Sequence, residues 1–273
     1  MNDTECVAFL QWALPKLRMR WPGFRKVRRQ VCRRVDRRMR ELGLRDVAAY
    51  RALLESDPHE WHALHRCCPI TISRFYRDRG IFDLLRDAVL PQLTRAAVAR
   101  GDHQFHAWSA GCASGEELYT LKILWELCLR PRFPRLRLHI VATDVEQAVL
   151  ERARIGCYSK GSLQDLPHEW LATAFVRRDS LYCVRPEFRD GIDLQLQDIR
   201  QAMPPGPFDL ILCRHLVFTY FDEQVQQELL PRLAQRLVSR GVLVTGKQEM
   251  FPASGAALFR AWGPRLGIYE KLA

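Results

Sequence analysis

Apolar positions recur at three- and four-residue spacing through the first third of the chain, then change period. Residues 5–17 offer Phe9, Leu10, Trp12 and Ala13 for packing on a first short helix. Residues 24–42 repeat the helical spacing with Val27, Val31, Val35, Met39 and Leu42, and Gly43 supplies a stop. Two more helical pieces cover 46–54 and 59–67, the second ended by Pro69. Residues 81–100 read as a long helix in which Pro91 either kinks the chain or splits it. Beyond Gly101 and Asp102 short apolar runs take over at 105–108, 137–142, 193–197, 208–213 and 242–246. Helical stretches near 116–129, 145–153 and 222–238 separate them, an alternation that predicts a mostly parallel sheet covered by helices. The least regular part, 154–207, reads as a loop at 158–166, a short helix at 167–175 and a strand at 181–185. Residues 257–261 and 266–272 suit a terminal hairpin. The expected organisation is a helical domain over 1–80, a linker helix over 81–102 and an α/β domain over 103–273 with a compact insertion around 155–192.

Charge changes this picture in one place. The formal net charge of the 273 residues is +11, and residues 25–40 hold nine Lys or Arg against one acid, Asp36. With one helix face apolar, the other is densely cationic. That face is either a solvated surface or a docking face for an acidic partner, with Arg25, Arg29, Arg33 and Arg37 as its candidate contacts. Charge does not choose among nucleic acid, anionic lipid and an acidic protein. The nine cysteines show no CxxC spacing, and their odd count predicts thiols in a reducing cytoplasm rather than a disulfide framework. No signal-peptide pattern and no run near the ~20 apolar residues of a membrane span is present, so cytoplasmic localisation without membrane insertion is expected. His59, His62 and His65 stand three apart and do not form one row on a helix, and no metal is expected there.

Candidate chemistry concentrates in Phe105 to Thr120, FHAWSAGCASGEELYT, which reads as strand, tight glycine turn and helix. Such a turn at a strand end is where an α/β sheet receives a nucleotide-like cofactor, here through Gly111 and Gly115. No Lys and Ser/Thr follow, so it is not a phosphate-binding P-loop. Glu116 and Glu117 disfavour a pyrophosphate; they can accept hydrogen bonds from ribose hydroxyls or hold a cation, which suits S-adenosylmethionine. Thr143 and Asp144 end the second strand, where the acid either binds the two hydroxyls of a ribose or caps the next helix.

Five segments in order, ITISRFYRD at 70–78, SAGCASGEE at 109–117, ATD at 142–144, SLQDLP at 162–167 and FDLILCRHLVFTYFD at 208–222, carry a family resemblance. Together they resemble the CheR-type protein-glutamate O-methyltransferases of bacterial chemotaxis. The resemblance implies an S-adenosyl-L-methionine-dependent methyltransferase fold behind a small all-helical domain, with S-adenosyl-L-homocysteine as product. It also implies an acidic protein partner, such as a chemoreceptor-like helical segment met by the basic helix. Its implied cofactor contacts fall on Thr71, Ser73, Arg77, Gly111, Gly115, Glu116, Asp144, Asp198, Ile199, His215 and Leu216. Thr71, Ser73, Asp198 and His215 depart from the Asn, Thr, Asn and Asn of the family pattern. His215 is the most informative departure, being bulkier than Asn and able to carry charge. The family's Gly-x-Ser-Glu becomes Gly246, Lys247, Gln248 and Glu249. The irregular 154–207 region corresponds to a small antiparallel subdomain that some members use for docking.

A carboxylate acceptor is ionised near neutral pH, so its methylation needs alignment rather than a strong base. Arg77 is the expected holder of the acceptor carboxylate, and Tyr220, one residue later than the family spacing, is the expected orienting tyrosine. Two rivals stay open: a methyltransferase with another acceptor, small molecule or nucleic acid, and a weakly active S-adenosylmethionine-binding regulatory module. The basic helix permits nucleic acid, but no recognisable RNA-binding module supports it.

Overall fold

The first helical pattern folds as α1 (Asp3–Lys16), started by a capping box in which Asn2 and Glu5 each accept the other's backbone amide. A computed structural model of the chain describes residues 1–70, 73–264 and 266–273. By contacts they fall into two units, Met1–Thr71 with Thr219–Gln226, and Ile72–Phe218 with Gln227–Ala273.

In the first unit the expected helix over 24–42 is broken. Pro22 and Gly23 sit in a single turn, α2 (Trp21–Phe24), and α3 (Arg28–Glu41) starts four residues later than the periodicity suggests. Val31, Val35 and Met39 are buried as the spacing requires. Asp46 and Asp57 cap α4 (Val47–Ser56) and α5 (Pro58–Cys67) through their side chains. Polar contacts on α3 separate its arginines. Arg28 forks onto Asp3, Arg34 reaches the carbonyls of Cys67 and Pro69, and Arg38 grips Glu60 with both ends of its fork at 3.0 and 2.7 Å. Tyr50 donates to the same carboxylate at 2.9 Å.

The second unit begins with α6 (Arg79–Leu84), which continues through a π-helical turn at Leu85–Val89 into α7 (Leu90–Ala99). Pro91 thus stands in the first turn of α7, directly after the π-helical turn that interrupts the regular helix. The widened turn just ahead, closed by Leu90 N–H to the Leu85 carbonyl, accommodates a residue that lacks a donor.

The sheet is built from β1 (Gln104–Ala110), β2 (Arg137–Asp144), β6 (Ile192–Leu196), β7 (Phe208–Leu212), β8 (Leu237–Val244), β9 (Phe259–Ala261) and β10 (Ile268–Lys271). Its order is β6-β2-β1-β7-β8-β10-β9, parallel from β6 to β8, with β10 antiparallel to both its neighbours. The intervening helices are α8 (Glu116–Leu124), α9 (Gln147–Ile155), α11 (Val217–Tyr220) and α12 (Glu223–Gln235). Phe105, Trp108, Leu210 and Leu212 are fully buried, each such side chain contributing about 1.5–3 kcal/mol relative to exposure.

The irregular region holds a second sheet, β3 (Cys157–Ser159), β4 (Phe175–Arg178) and β5 (Leu181–Val184) in the order β3-β5-β4, with α10 (His168–Ala174) before β4. Sequence reading missed β3 and β4. They are three and four residues long and mostly half-exposed or exposed, too short for a period to register.

The expectation that all cysteines are thiols is corrected. Cys6 and Cys32 form a disulfide between α1 and α3, and Cys157 and Cys183 form one between β3 and β5. Each pair stands 26 residues apart in sequence and meets only through helix packing or strand register, which spacing cannot show. Cys67, Cys68, Cys112, Cys128 and Cys213 lie outside these disulfides. No helix among the described residues is long and apolar enough to cross a membrane.

Glu60 is 5% exposed, and its hydrogen bonds from Arg38 hold its carboxyl below the ordinary value although burial pushes the other way. Glu60→Gln should destabilise the protein by about 1.5–3 kcal/mol in urea titrations near neutral pH. A lowered folded pKa gives stability that is complete above the ordinary carboxylate value and lost as pH falls through the lowered one. The gap between wild type and variant should therefore close on acidification; a gap independent of pH would assign the loss to packing.

Candidate active site

Strand order reverses between β1 and β7, so the loops leaving their carboxyl ends diverge around a crevice. Gly111 (φ 71°) and Gly115 (φ 92°) make the turn after β1 in the left-handed region, which glycine enters without steric cost. A Cβ on Gly111 would stand 2.9 Å from Leu216 Cδ2, so the glycine also lets the loop after β7 close against the turn. Gly111 and Cys112 donate their amides to the Thr143 carbonyl at 2.8 and 3.0 Å. Tyr158, on β3, donates its hydroxyl to the Ser114 carbonyl at 2.7 Å.

Two acids line the turn. Asp144 accepts the Ala113 amide at 2.9 Å through one oxygen and the Glu146 amide at 3.1 Å through the other. Burial raises its pKa, and those amides oppose the shift. Glu116 is 3% exposed; burial raises its pKa too, opposed by its own backbone amide, then the Arg152 charge and the Ser73 hydroxyl. Its Oε2 is buried and has no hydrogen-bond partner among the described residues. An orphaned carboxylate oxygen beside a second buried acid fits a ligand that brings hydroxyl donors or a positive charge. It does not fit a pyrophosphate.

A third acid-base group lies behind them. Arg214, its side chain 2% exposed, donates Nη1 to Glu117 at 3.0 Å, and Nη2 to the Arg77 carbonyl and to Asp78 Oδ2, both at 2.8 Å. Ser109 donates to the other Glu117 oxygen at 3.0 Å. His215 Nε2 stands 3.1 Å from Asp78 Oδ2, and the His215 amide donates to Glu249 at 2.9 Å. The His215 hydrogen bond, ahead of the Arg214 charge, holds the Asp78 carboxyl well below the usual carboxylate range against its burial.

Of the expected site residues, the structure brings Ser73, Gly111, Gly115, Glu116, Asp144 and Leu216 together at this crevice. His215 and the backbone of Arg77 join through Asp78 and Arg214. Asp198 follows β6, whose last residue is in register with Asp144, and its carboxylate is forked by Arg200 at 2.6–3.2 Å. Ile199 beside it is buried. Thr71 lies outside the described residues. Tyr220 belongs to the first unit, where its ring packs on Phe24 at 4.9 Å and its carbonyl accepts the Arg20 amide at 2.9 Å. Arg25, Arg29, Arg33 and Arg37 are exposed. Sequence reasoning missed Asp78, Glu117, Arg214 and Glu249 as a connected set, although each stands in a segment already singled out.

A sheet of this order with an acid-lined glycine turn at its reversal point defines an S-adenosylmethionine-dependent methyltransferase. Residues 71–263 match the SAM binding domain of CheR methyltransferases, and residues 26–67 match their all-alpha domain. The chain belongs to the CheR methyltransferase family. It is 34% identical over 232 residues to a chemotaxis protein methyltransferase of Escherichia coli (strain K12), covering 82% of this chain and 77% of that one. A chemotaxis protein methyltransferase of Salmonella typhimurium (strain LT2) is 32% identical over 233 residues, covering 82% and 76%. Among solved structures, the N-methyltransferase NodS of Bradyrhizobium japonicum WM9 with S-adenosyl-L-homocysteine is 14% identical, covers 72% of this chain and 90% of its own, and has a TM-score of 0.38.

Gly115→Ala tests the turn. Its Cβ would lie 3.0 Å from both Tyr158 Oη and Ala153 Cβ, on a left-handed backbone. The strain should cost roughly 1–2 kcal/mol in chemical denaturation, and calorimetry should show weaker S-adenosylhomocysteine binding. An unchanged midpoint with unchanged affinity would mean that the turn needs no glycine there.

Proposed function

We propose that this protein methylates glutamate carboxylates on an acidic helical segment of a protein partner, a chemoreceptor-like one, in the cytoplasm. The observation that carries this reading is the exposed cationic face at Arg25, Arg29, Arg33 and Arg37 in a chain whose relatives are chemotaxis methyltransferases. When bound, S-adenosylmethionine supplies a methyl group on a sulfonium, which leaves as neutral S-adenosylhomocysteine and puts a methyl ester on an acceptor oxygen.

The chain's own residues bind, orient and screen. Gly111 and Gly115 admit the ligand close to the backbone. Asp144 and Glu116 accept hydroxyl hydrogens, Glu116 with the oxygen that lacks a partner among the described residues. Asp198 and Ile199 border the base, and Leu216 and Ser73 complete the surround. Arg77 holds one oxygen of the acceptor carboxylate with its planar fork while the other is aimed for attack. No proton has to be removed from the acceptor carboxylate.

Arg77→Lys keeps the charge and loses the fork, so methyl transfer to a glutamate-rich helical peptide should fall by about tenfold or more, with S-adenosylhomocysteine affinity measured in parallel. Tyr220→Phe should cost less. With tritiated methyl groups, base treatment of the product should release methanol; base-stable label would replace this reading with transfer to an amine or nucleic acid. Replacing Arg29, Arg33 and Arg37 with Glu should weaken association with an acidic helical partner and leave cofactor affinity unchanged. Wild-type association should fade with salt, since exposed charges are screened over about 8 Å at physiological ionic strength. Insensitivity to both charge reversal and salt would return α3 to a solvated face.

A further inference from the structure

The His215 imidazole is held on both edges by protein. A carboxylate only accepts, so Nε2, at 3.1 Å from Asp78 Oδ2, carries the hydrogen of that bond. On the other edge, a Cβ built on Gly246 would stand 2.6 Å from Cε1 and 2.8 Å from Nδ1, so the ring lies directly against the Gly246 backbone. The peptide is pinned as well, because Glu249 Oε2 accepts the amides of both His215 and Gly246, the latter at 2.5 Å. His215 (φ 55°) and Asp78 (φ 60°) both adopt left-handed backbone, a conformation uncommon outside glycine that Asp and His tolerate better than most residues. Asp78 caps α6 with no hydrogen bond from its side chain to that helix, so its carboxylate is turned instead to His215 and Arg214. The same Arg214 Nη2 that reaches Asp78 also reaches the carbonyl of Arg77, the preceding residue.

From this geometry we infer that His215 is a positioning residue: through Asp78 it fixes the backbone that carries Arg77, and its Nε2 is committed to that strut rather than to the cofactor. The inference rests on the reading in which Arg77 orients the acceptor. One imidazole thus ties the loop after β7 to the segment before α6. Arg214, the residue before it, makes the second tie.

Amide side chains separate the two roles. Glutamine extends its amide about as far as Nε2, whereas asparagine reaches only about as far as Nδ1. His215→Gln should therefore keep the strut, and His215→Asn should lose it as completely as His215→Ala. In the full-length protein with a glutamate-rich helical peptide as acceptor, His215→Ala and His215→Asn should lower kcat by about ten- to a hundredfold, the scale of a misplaced catalytic group. His215→Gln should stay within about threefold of wild type. Titration with S-adenosylhomocysteine should give dissociation constants within about threefold for all three, a split that a cofactor ligand would not produce. Asp78→Asn combined with His215→Ala should be no worse than the worse single variant, as for two ends of one bond.

A readout independent of any acceptor is the imidazole proton. Proton–nitrogen NMR of the wild type should show a slowly exchanging Nε2–H assigned to His215, absent in His215→Gln and exchanging rapidly in Asp78→Asn. Tenfold loss of S-adenosylhomocysteine affinity in His215→Ala, higher activity in the Asn than in the Gln variant, or an unprotected Nε2–H would each overturn the strut. Should Arg77→Lys prove silent while Nε2–H is protected and exchanges rapidly in Asp78→Asn, the acceptor role of Arg77 fails and the strut stands.

Discussion

One guanidinium joins the parts of the crevice. Arg214 leaves the end of β7, passes over the Phe82 ring at 5.2 Å and meets Glu117 on the first turn of α8 and Asp78 at the start of α6. A charge this deeply buried is tolerated because two carboxylates and a carbonyl receive it, and its Nε has no partner among the described residues. Removing either end of such a pair leaves an uncompensated charge, so the three segments keep their places together or not at all.

The front of the crevice is built on the opposite principle. Glu116 and Asp144 are carboxylates pushed toward their neutral forms by burial, with only part of their hydrogen-bonding capacity used by protein. Above their raised pKa values their ionisation costs stability in the folded chain, and a ligand bringing hydroxyl donors or positive charge offsets that cost. Perturbed acids of this kind gather at functional sites, and here they sit where the sheet order reverses. β3 supports the same turn through Tyr158, so the small antiparallel sheet bears on the glycine turn as well as forming a surface.

The helical unit divides its arginines by neighbour. Arg28, Arg34 and Arg38 find acids or carbonyls within the unit, Arg29 is exposed with Asp3 at 3.9 Å, and Arg25, Arg33 and Arg37 are exposed. Clustered exposed charges of one sign repel each other, and an acidic surface relieves the repulsion. The cationic face is thus carried by α3 at Arg29, Arg33 and Arg37, with Arg25 just ahead of it.

Local pattern was enough for α1, α4, α5, the parallel strands and the glycine turn, though not for the break ahead of α3, because helices and buried strands write their burial pattern into consecutive residues. Gly111, Gly115, Glu116 and Asp144 were legible for the same reason: a turn between a strand and a helix, and an acid at a strand end, are local features. The disulfides, the short strands β3 and β4, and the Arg214 network were not legible, since each depends on residues far apart in sequence meeting in space. Asp78 and His215 stand 137 residues apart. In the sequence one is the last residue of the ITISRFYRD segment and the other an unusual histidine after a strand. Only the tertiary structure, by holding both in left-handed backbone on facing loops, made them partners, because a hydrogen bond requires a distance and direction that no one-dimensional pattern encodes.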